Sequence, residues 1–432
     1  MKAFSTCVLA LLLSAGVAQA QDNNASTEQA GDSNEATIEQ VGQTQVADVF
    51  QGKADARAVT GGLSLASEAF ILQTGLSNQA LVLQGLEGGL SEFSLSTVDQ
   101  FGEANVAQIE QGEENGTALF SASVILQDGE LNDAAIEQGE DNGTSELSEA
   151  IIEQFGTSNT ADIDQGDQDG TAFESSAAIY QDGTSHDADI FQGDNGGTAE
   201  FSLVTVEQFG ESNDANIDQG DDGGTAAYSE AAVEQHGSSN DAVVDQGDED
   251  GAAFEVVADV FQDGTSNDAD VFQGDDGGTA EFSLATVEQF GDANVADVFQ
   301  GDNGGTAAFT EAAVYQEGEA NVADVFQGND GAAFEVTAAI EQFGELNLAT
   351  IVQGADGGTS ETNDATVWQD GIANDALILQ GIGGFSMVNG LAAIMQFGED
   401  HIALIEQSGA GHTGLVDQVG LNNTATITQS DN

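Results

Sequence analysis

Two residue types recur in this chain at fixed spacings, glutamine and the acidic pair Asp and Glu. From Gln73 to Gln407 the glutamines fall at gaps that alternate 11 and 16 residues, shortening once to 15 before Gln342. Five residues after the first Gln of each unit, eleven of thirteen units carry Asn; the other two carry His186 and His401. All three side chains offer a donor and an acceptor, so the chemistry on offer is hydrogen bonding. The carboxylates gather in the wider gap, as in Gly301-Asp302-Asn303-Gly304-Gly305, where they can supply oxygen ligands of the kind Ca²⁺ takes. Catalysis is not indicated. His186, His236, His401 and His412 are scattered, the one cysteine is Cys7, and a catalytic site does not repeat thirteen times.

These groups need elements to position them. An 11-residue period can build a right-handed helical supercoil. Here Gly stands two residues after the first Gln of all thirteen units, which would cripple each helix. Asp-Asn-Gly-Gly clusters break the wider gap. Apolar and small residues alternate with period two, as in Ala285 and Val287, then Asn294, Ala296 and Val298, which is the pattern of strands. Ser283, Ala285, Val287 and Gln289 share one face, and Asn294, Ala296, Val298 and Gln300 share another. These faces carry no charge and are expected inside; Thr286, Glu288, Asp297 and Phe299 are expected outside. The fold class is therefore all-β, a β-solenoid of about 15 strand-turn-strand rungs with a 27-residue repeat, cross-β and amyloid-like. Rungs stacked at about 4.8 Å would give a rod of roughly 70 Å.

Stacking explains the choice of residue. A buried amide is costly unless hydrogen-bonded. When the same Gln lies directly above itself in every rung, each amide donates to one neighbour and accepts from the other, the device of cross-β cores. The predicted ladder includes Gln262, Gln289 and Gln316 in one column and Gln273, Gln300 and Gln327 in the other. Asn267, Asn294 and Asn321 form a parallel column. Ala269, Ala296 and Ala323, seven residues after the first Gln, mark a position where a larger side chain does not fit. Gly264, Gly291 and Gly318 supply the tight turn between strands.

Residues 1–20 read as a secretory signal, with Lys2 at the positive end, an apolar core from Val8 to Val17 and Ala18-Gln19-Ala20 as a cleavage site. The apolar run is too short to span a bilayer. Residues 21–72 hold N-terminal repeats with an irregular insertion at 52–69, residues 73–407 hold thirteen 27-residue repeats, and residues 408–432 hold a C-terminal repeat. The formal charge is −74, with Lys2, Lys53 and Arg57 the only bases among 432 residues. Nucleic acid and anionic membrane surfaces would repel such a chain. High charge with 6% aromatics could indicate disorder, but the strict period argues for order.

"SLATVEQFGDANVADVFQ", residues 283–300, resembles the curlin repeat S-x5-Q-x-G-x2-N-x-A-x3-Q at every defined position, and "QVGLNNTATITQ", 418–429, resembles its latter part. The resemblance extends over most of Gln29 to Gln429. It implies a secreted bacterial subunit of curli-like amyloid fibres of the biofilm matrix, exported through the periplasm to the cell surface and active in adhesion. The likeness is to a major fibre subunit rather than a nucleator. It further implies an outer-membrane secretion channel, a periplasmic chaperone and a nucleating partner. The chain departs from the family in its longer unit, whose excess lies in the acidic loop, in its many more repeats, and in a Gly/Asn-rich leader reduced to about "QDNNAST".

The terminal units keep the pattern, with no capping helix or Pro, so head-to-tail addition of a second copy is the expected partnership. Stacked carboxylates oppose it, by roughly 1 kcal/mol per pair in water. The acids fit three roles besides a merely solvated face: gatekeepers against early assembly, adaptation to salt, or Ca²⁺ binding, with Asp275, Asp276 and Asp302 the candidate ligands. An alternative function is a monomeric, calcium-stabilised β-solenoid adhesin. Ice binding would want a regular outward Thr array, which the Thr286 column lacks. The recurrent Phe of the wider gap, such as Phe282 and Phe309, fits stacked aromatic ladders better than a ligand platform.

Overall fold

The computed structural model of the protein describes residues 22–52 and 62–431. Within them every regular element is a strand and all strand pairs are parallel and in register. A representative rung holds Leu284–Asp292, Val295–Gln300 and Thr306–Ala308. Each residue pairs with its equivalent in the next unit: Ala285 with Ala312, Val287 with Val314, Gln289 with Gln316, and Ala296 with Ala323. The first strands form a 15-stranded sheet from Glu35–Gln43 to Thr413–Leu421. The chain is thus a parallel β-solenoid whose rungs repeat mainly at 27 residues.

Each 27-residue rung has three strands rather than two. The wider gap, expected as loop, holds a short third strand such as Thr279–Glu281 or Thr306–Ala308. Its middle residue, Ala280 or Ala307, is fully buried. Three residues are too few to display a period of two, which hides such a strand in sequence. The turn before it is legible: in Asp302–Gly305 the Gly305 N–H donates to the Asp302 carbonyl at 2.9 Å. Asn303 and Gly304 both have positive φ, 50° and 74°, the mark of a type I′ turn that Asn-Gly favours.

The main core is one continuous stack of side chains between the first two strands, with a smaller cluster of Ala253, Val256 and Ala280 beneath the third strand. Ala285, Val287, Ala296 and Val298 have no exposed surface, and their equivalents make one continuous cluster from Ala47 to Val416. Uniform small Ala and β-branched Val or Ile suit a narrow interior between pleated sheets. The arc between the first two strands needs glycine. Gly291 has φ +111°, and a Cβ there would lie 2.1 Å from the Gly318 carbonyl oxygen one rung away. Ala293 follows in the left-handed region at φ 57°.

The shortened gap before Gln342 is absorbed in the outer turn at Gly328–Gly331, leaving the ladders in register: Gln316 still reaches Gln342 at 2.8 Å. Of the segment 52–69, residues 53–61 lie outside the described residues. Leu63–Leu65 is already a strand paired with Leu90–Glu92. The signal read at 1–20 also lies outside the described residues.

Candidate functional site

The two glutamine columns are hydrogen-bonded without a break. Gln262 Nε2 donates to Gln289 Oε1 at 2.9 Å, and Gln289 to Gln316 at 2.9 Å. In the second column Gln273 donates to Gln300 at 2.8 Å and Gln300 to Gln327 at 2.9 Å. The first column runs from Gln40 to Gln418 and the second from Gln29 to Gln429. The other amide proton is also used: Gln289 donates to the Asp268 carbonyl at 2.8 Å, and Gln300 to the Leu284 carbonyl at 3.0 Å. Gln262, Gln273, Gln289, Gln300, Gln316 and Gln327 are all wholly buried. Every link donates toward the C-terminal end, so each column is polar.

The Asn column forms an amide ladder over part of its length, with Asn294 Nδ2 donating to Asn267 Oδ1 and Asn321 Nδ2 to Asn294 Oδ1, both at 3.2 Å, and adds main-chain bonds to it. The Asn294 main-chain N–H donates to Asn267 Oδ1 at 3.1 Å, and Asn321 N–H to Asn294 Oδ1 at 3.1 Å. Asn294 Nδ2 donates to the carbonyls of Phe290 and Gly318, at 3.2 and 3.3 Å. The column therefore pins the glycine arcs of successive rungs, Gly264, Gly291 and Gly318 among them. His401 fills the same role: its Nδ1 accepts from Asn423 N–H at 3.2 Å while Nε2 meets the Phe397 carbonyl at 3.1 Å. His186 likewise accepts from Asn213 N–H at Nδ1, and burial lowers its pKa. Ala269, Ala296 and Ala323 are fully buried beside these columns.

The acidic groups form columns on the outside of the second sheet and in the turn after it. Asp275 and Asp302 are buried and Asp276 is exposed. These three candidates do not converge: the Asp302 carboxylate is occupied by Asn303, whose main-chain and side-chain N–H groups donate to it at 2.6 and 2.7 Å. Three other groups do bring carboxylate oxygens within 4.8 Å of one another: Glu110, Glu137 and Glu140; Glu137, Asp164 and Asp167; and Asp221, Asp222 and Asp248. No Lys or Arg occurs among the described residues to neutralise them. Burial, then the carboxylates of Asp162 and Glu137, hold Asp164 well above the ordinary range. Burial and the neighbouring Asp248 carboxylate push Asp218 up to about 8, and burial with Asp218 pushes Asp245 up to about 9. The signal for these groups is a local pattern, acid-Gln-Gly-acid, at 110–113, 137–140, 164–167, 218–221 and 245–248. The Gln-centred reading passes over it.

Aromatic side chains also stack along the axis. Phe272, Phe299 and Phe326 lie face to face at 5.0 and 4.9 Å, and Phe282 stacks on Phe309 at 5.0 Å. A zigzag file on the first sheet runs from Phe155 to Trp368.

At the N-terminal end, among the described residues, Asn24–Gln29 pairs only with Val46–Gln51, and Glu35–Gln43 only with Glu68–Leu76. At the other end, Thr413–Leu421 and Thr424–Ser430 are last in their sheets. No helix long and apolar enough to cross a membrane occurs among the described residues. The last links span 22 residues instead of 27; the missing five residues are those of the turn, and the third-strand positions continue directly from the second strand as Gly409 and Ala410, paired with Met387 and Val388. Residues 398–430, which include this shorter unit, match the family model of the curlin associated repeat. No curated protein matches the chain.

Proposed function

We propose that this chain is a secreted structural subunit that polymerises end to end into an extracellular, curli-like amyloid fibre serving biofilm cohesion and adhesion. One observation carries the reading: both amide columns run the full length of the rod, with a fixed direction, and reach both ends. The N-terminal end presents the acceptor oxygens of Gln29 and Gln40. The C-terminal end presents the amide nitrogens of Gln418 and Gln429, each spending one proton on a main-chain carbonyl, of Ile402 and Thr413. A second copy placed head to tail sets Gln429 against Gln29 and continues the second column. Parallel strand edges at both ends add main-chain pairing, and a heterologous contact of this kind builds a filament. The curlin associated repeat supports the same reading. Export through the periplasm, an outer-membrane channel, a chaperone and a nucleator are part of this proposal, and catalysis is not.

Imaging purified protein over time tests it. Filaments with a cross-β repeat, forming faster as salt screens the acidic faces, are expected. A population that stays monomeric at all salt concentrations contradicts it. The converging carboxylates favour a second reading, a monomeric calcium-stabilised adhesin, under which a chelator unfolds the monomer and filaments never appear.

A further inference from the structure

The buried carboxylates of the acid-Gln-Gly-acid rungs differ from ordinary surface acids in one respect. Asp164 is 8% and Asp167 3% exposed, yet Oδ1 of each has no hydrogen-bond partner. The same holds for Asp221 Oδ1 and Asp248 Oδ1, and for Glu140 Oε2. Buried polar atoms without partners are rare in native proteins, and a bound ion is one of the few things that satisfies them. These orphan oxygens belong to the three groups in which carboxylates from two successive rungs converge.

We propose that these groups bind divalent cations of the Ca²⁺ class, forming a short file of ions that ties successive rungs together on the outside of the second sheet. Glu137, Asp164 and Asp167 make one site; Glu110, Glu137 and Glu140 make the next along the axis and share Glu137; Asp221, Asp222 and Asp248 make a third.

The donor chemistry selects the ion. Only carboxylates converge, with no His or Cys among them, which suits a hard cation. Ca²⁺ accepts several carboxylates in flexible geometry, whereas Mg²⁺ keeps most of its waters and a strict octahedron. Charge argues the same way: three carboxylates meet without a base, and each ion removes two charges and the repulsion between rungs. Neighbouring units show the contrast. Where Phe272, Phe299 and Phe326 stand just before the Gln, the rings stack instead. The acid two residues after Gln300, Asp302, is satisfied by Asn303, while Asp275 after Gln273 keeps an unpartnered Oδ1 but belongs to none of the converging groups. The ions would bridge the turn that lengthens each unit from 22 to 27 residues, giving that turn a role of its own.

The test is titration of chelator-stripped, monomeric protein with CaCl₂ by calorimetry in physiological NaCl, with MgCl₂ as comparison and a thermal melt in parallel. Saturable uptake of two or three Ca²⁺ per chain, weaker for Mg²⁺, with a rise in Tm is expected. The variant Glu137→Gln/Asp164→Asn/Asp167→Asn should lose the two ions that share Glu137. The equally charged control Glu207→Gln/Glu230→Gln/Glu288→Gln, on the first sheet, should lose none. Should the triple variant misfold by circular dichroism, Asp167→Asn alone should lose one ion. Uptake that never saturates, or a stoichiometry unchanged in these site variants, overturns the proposal. It stands on rung geometry, not on polymerisation: a chain that binds the ions and never forms filaments overturns the fibre reading and leaves this one intact.

Discussion

Gln289 and Gln316 are 27 residues apart in sequence and 2.9 Å apart in space, Nε2 to Oε1, with no solvent reaching either side chain. Neither amide is stable in that interior by itself. Each is satisfied because its copy lies one level away, and the relation repeats along the rod.

The ladder predicts non-additive mutational costs. Gln289→Leu orphans Gln262 Nε2 on one side and Gln316 Oε1 on the other, for about 2–6 kcal/mol at about 1–3 per unsatisfied group. Adding Gln316→Leu moves the second ladder orphan to Gln342 Oε1 without breaking the column at a new place, although it frees the Val295 carbonyl as Gln289→Leu frees that of Asp268. In urea unfolding the adjacent double variant should therefore cost nearly the same ladder energy as the single. Gln208→Leu with Gln289→Leu should cost about twice as much. Equal additivity for both pairs would contradict continuous columns.

Two glycines should respond very differently to alanine. Gly291→Ala places a Cβ 2.1 Å from the Gly318 carbonyl, which no rotation relieves, so the arc must open and the register of two rungs suffers. Gly304 also has positive φ, +74°, but nothing lies within 4 Å of its Cβ position. Gly304→Ala should cost only the left-handed penalty of about 1–2 kcal/mol. Thermal melts of the two variants make the comparison.

The buried acids set the pH dependence. Folding raises the carboxyls of Asp218 and Asp245 from the ordinary 3.8 to about 8 and about 9, so the folded chain holds more protons than the unfolded one between those limits. Stability must then fall as pH rises through that window, and Tm should climb as pH is lowered from 9 toward 5. Asp218→Asn/Asp245→Asn should flatten the slope. His186 works in the opposite sense. Its pKa is lowered by burial, so its contribution is complete above the unfolded value and is lost as pH falls, because protonated Nδ1 can no longer accept from Asn213. His186→Asn should remove this smaller loss at the acid end of the profile.

Much of this architecture was legible because one unit is repeated. The alternation around Ala285 and Val287 assigns the inward face, and the fixed register of Gln, Asn and Gly reveals vertical pairing. The third strand was not legible, since Thr306–Ala308 has a single inward residue and no period to read. The side-chain links of the Asn column were legible, such as Asn294 Nδ2 to Asn267 Oδ1, but its main-chain bonding was not, because acceptance by Asn267 Oδ1 depends on how the glycine arc brings the next N–H over it. The converging carboxylate groups were not legible beside the candidates Asp275, Asp276 and Asp302. In two of the three groups convergence includes the residue before the Gln, Glu137 and Asp164 there but Phe272 and Phe299 elsewhere, and in the third it joins the turn acids Asp221, Asp222 and Asp248.

The central claim is that interior glutamine amides are buried and paired along the axis. The direct measurement is hydrogen exchange of the side-chain NH₂ protons in protein labelled with ¹⁵N-glutamine, followed by NMR after transfer to D₂O. Both protons of interior residues such as Gln289 should persist long after those of Gln29 and Gln429 at the ends have exchanged. Uniformly rapid exchange, with Gln289 no slower than Gln429, would contradict the account.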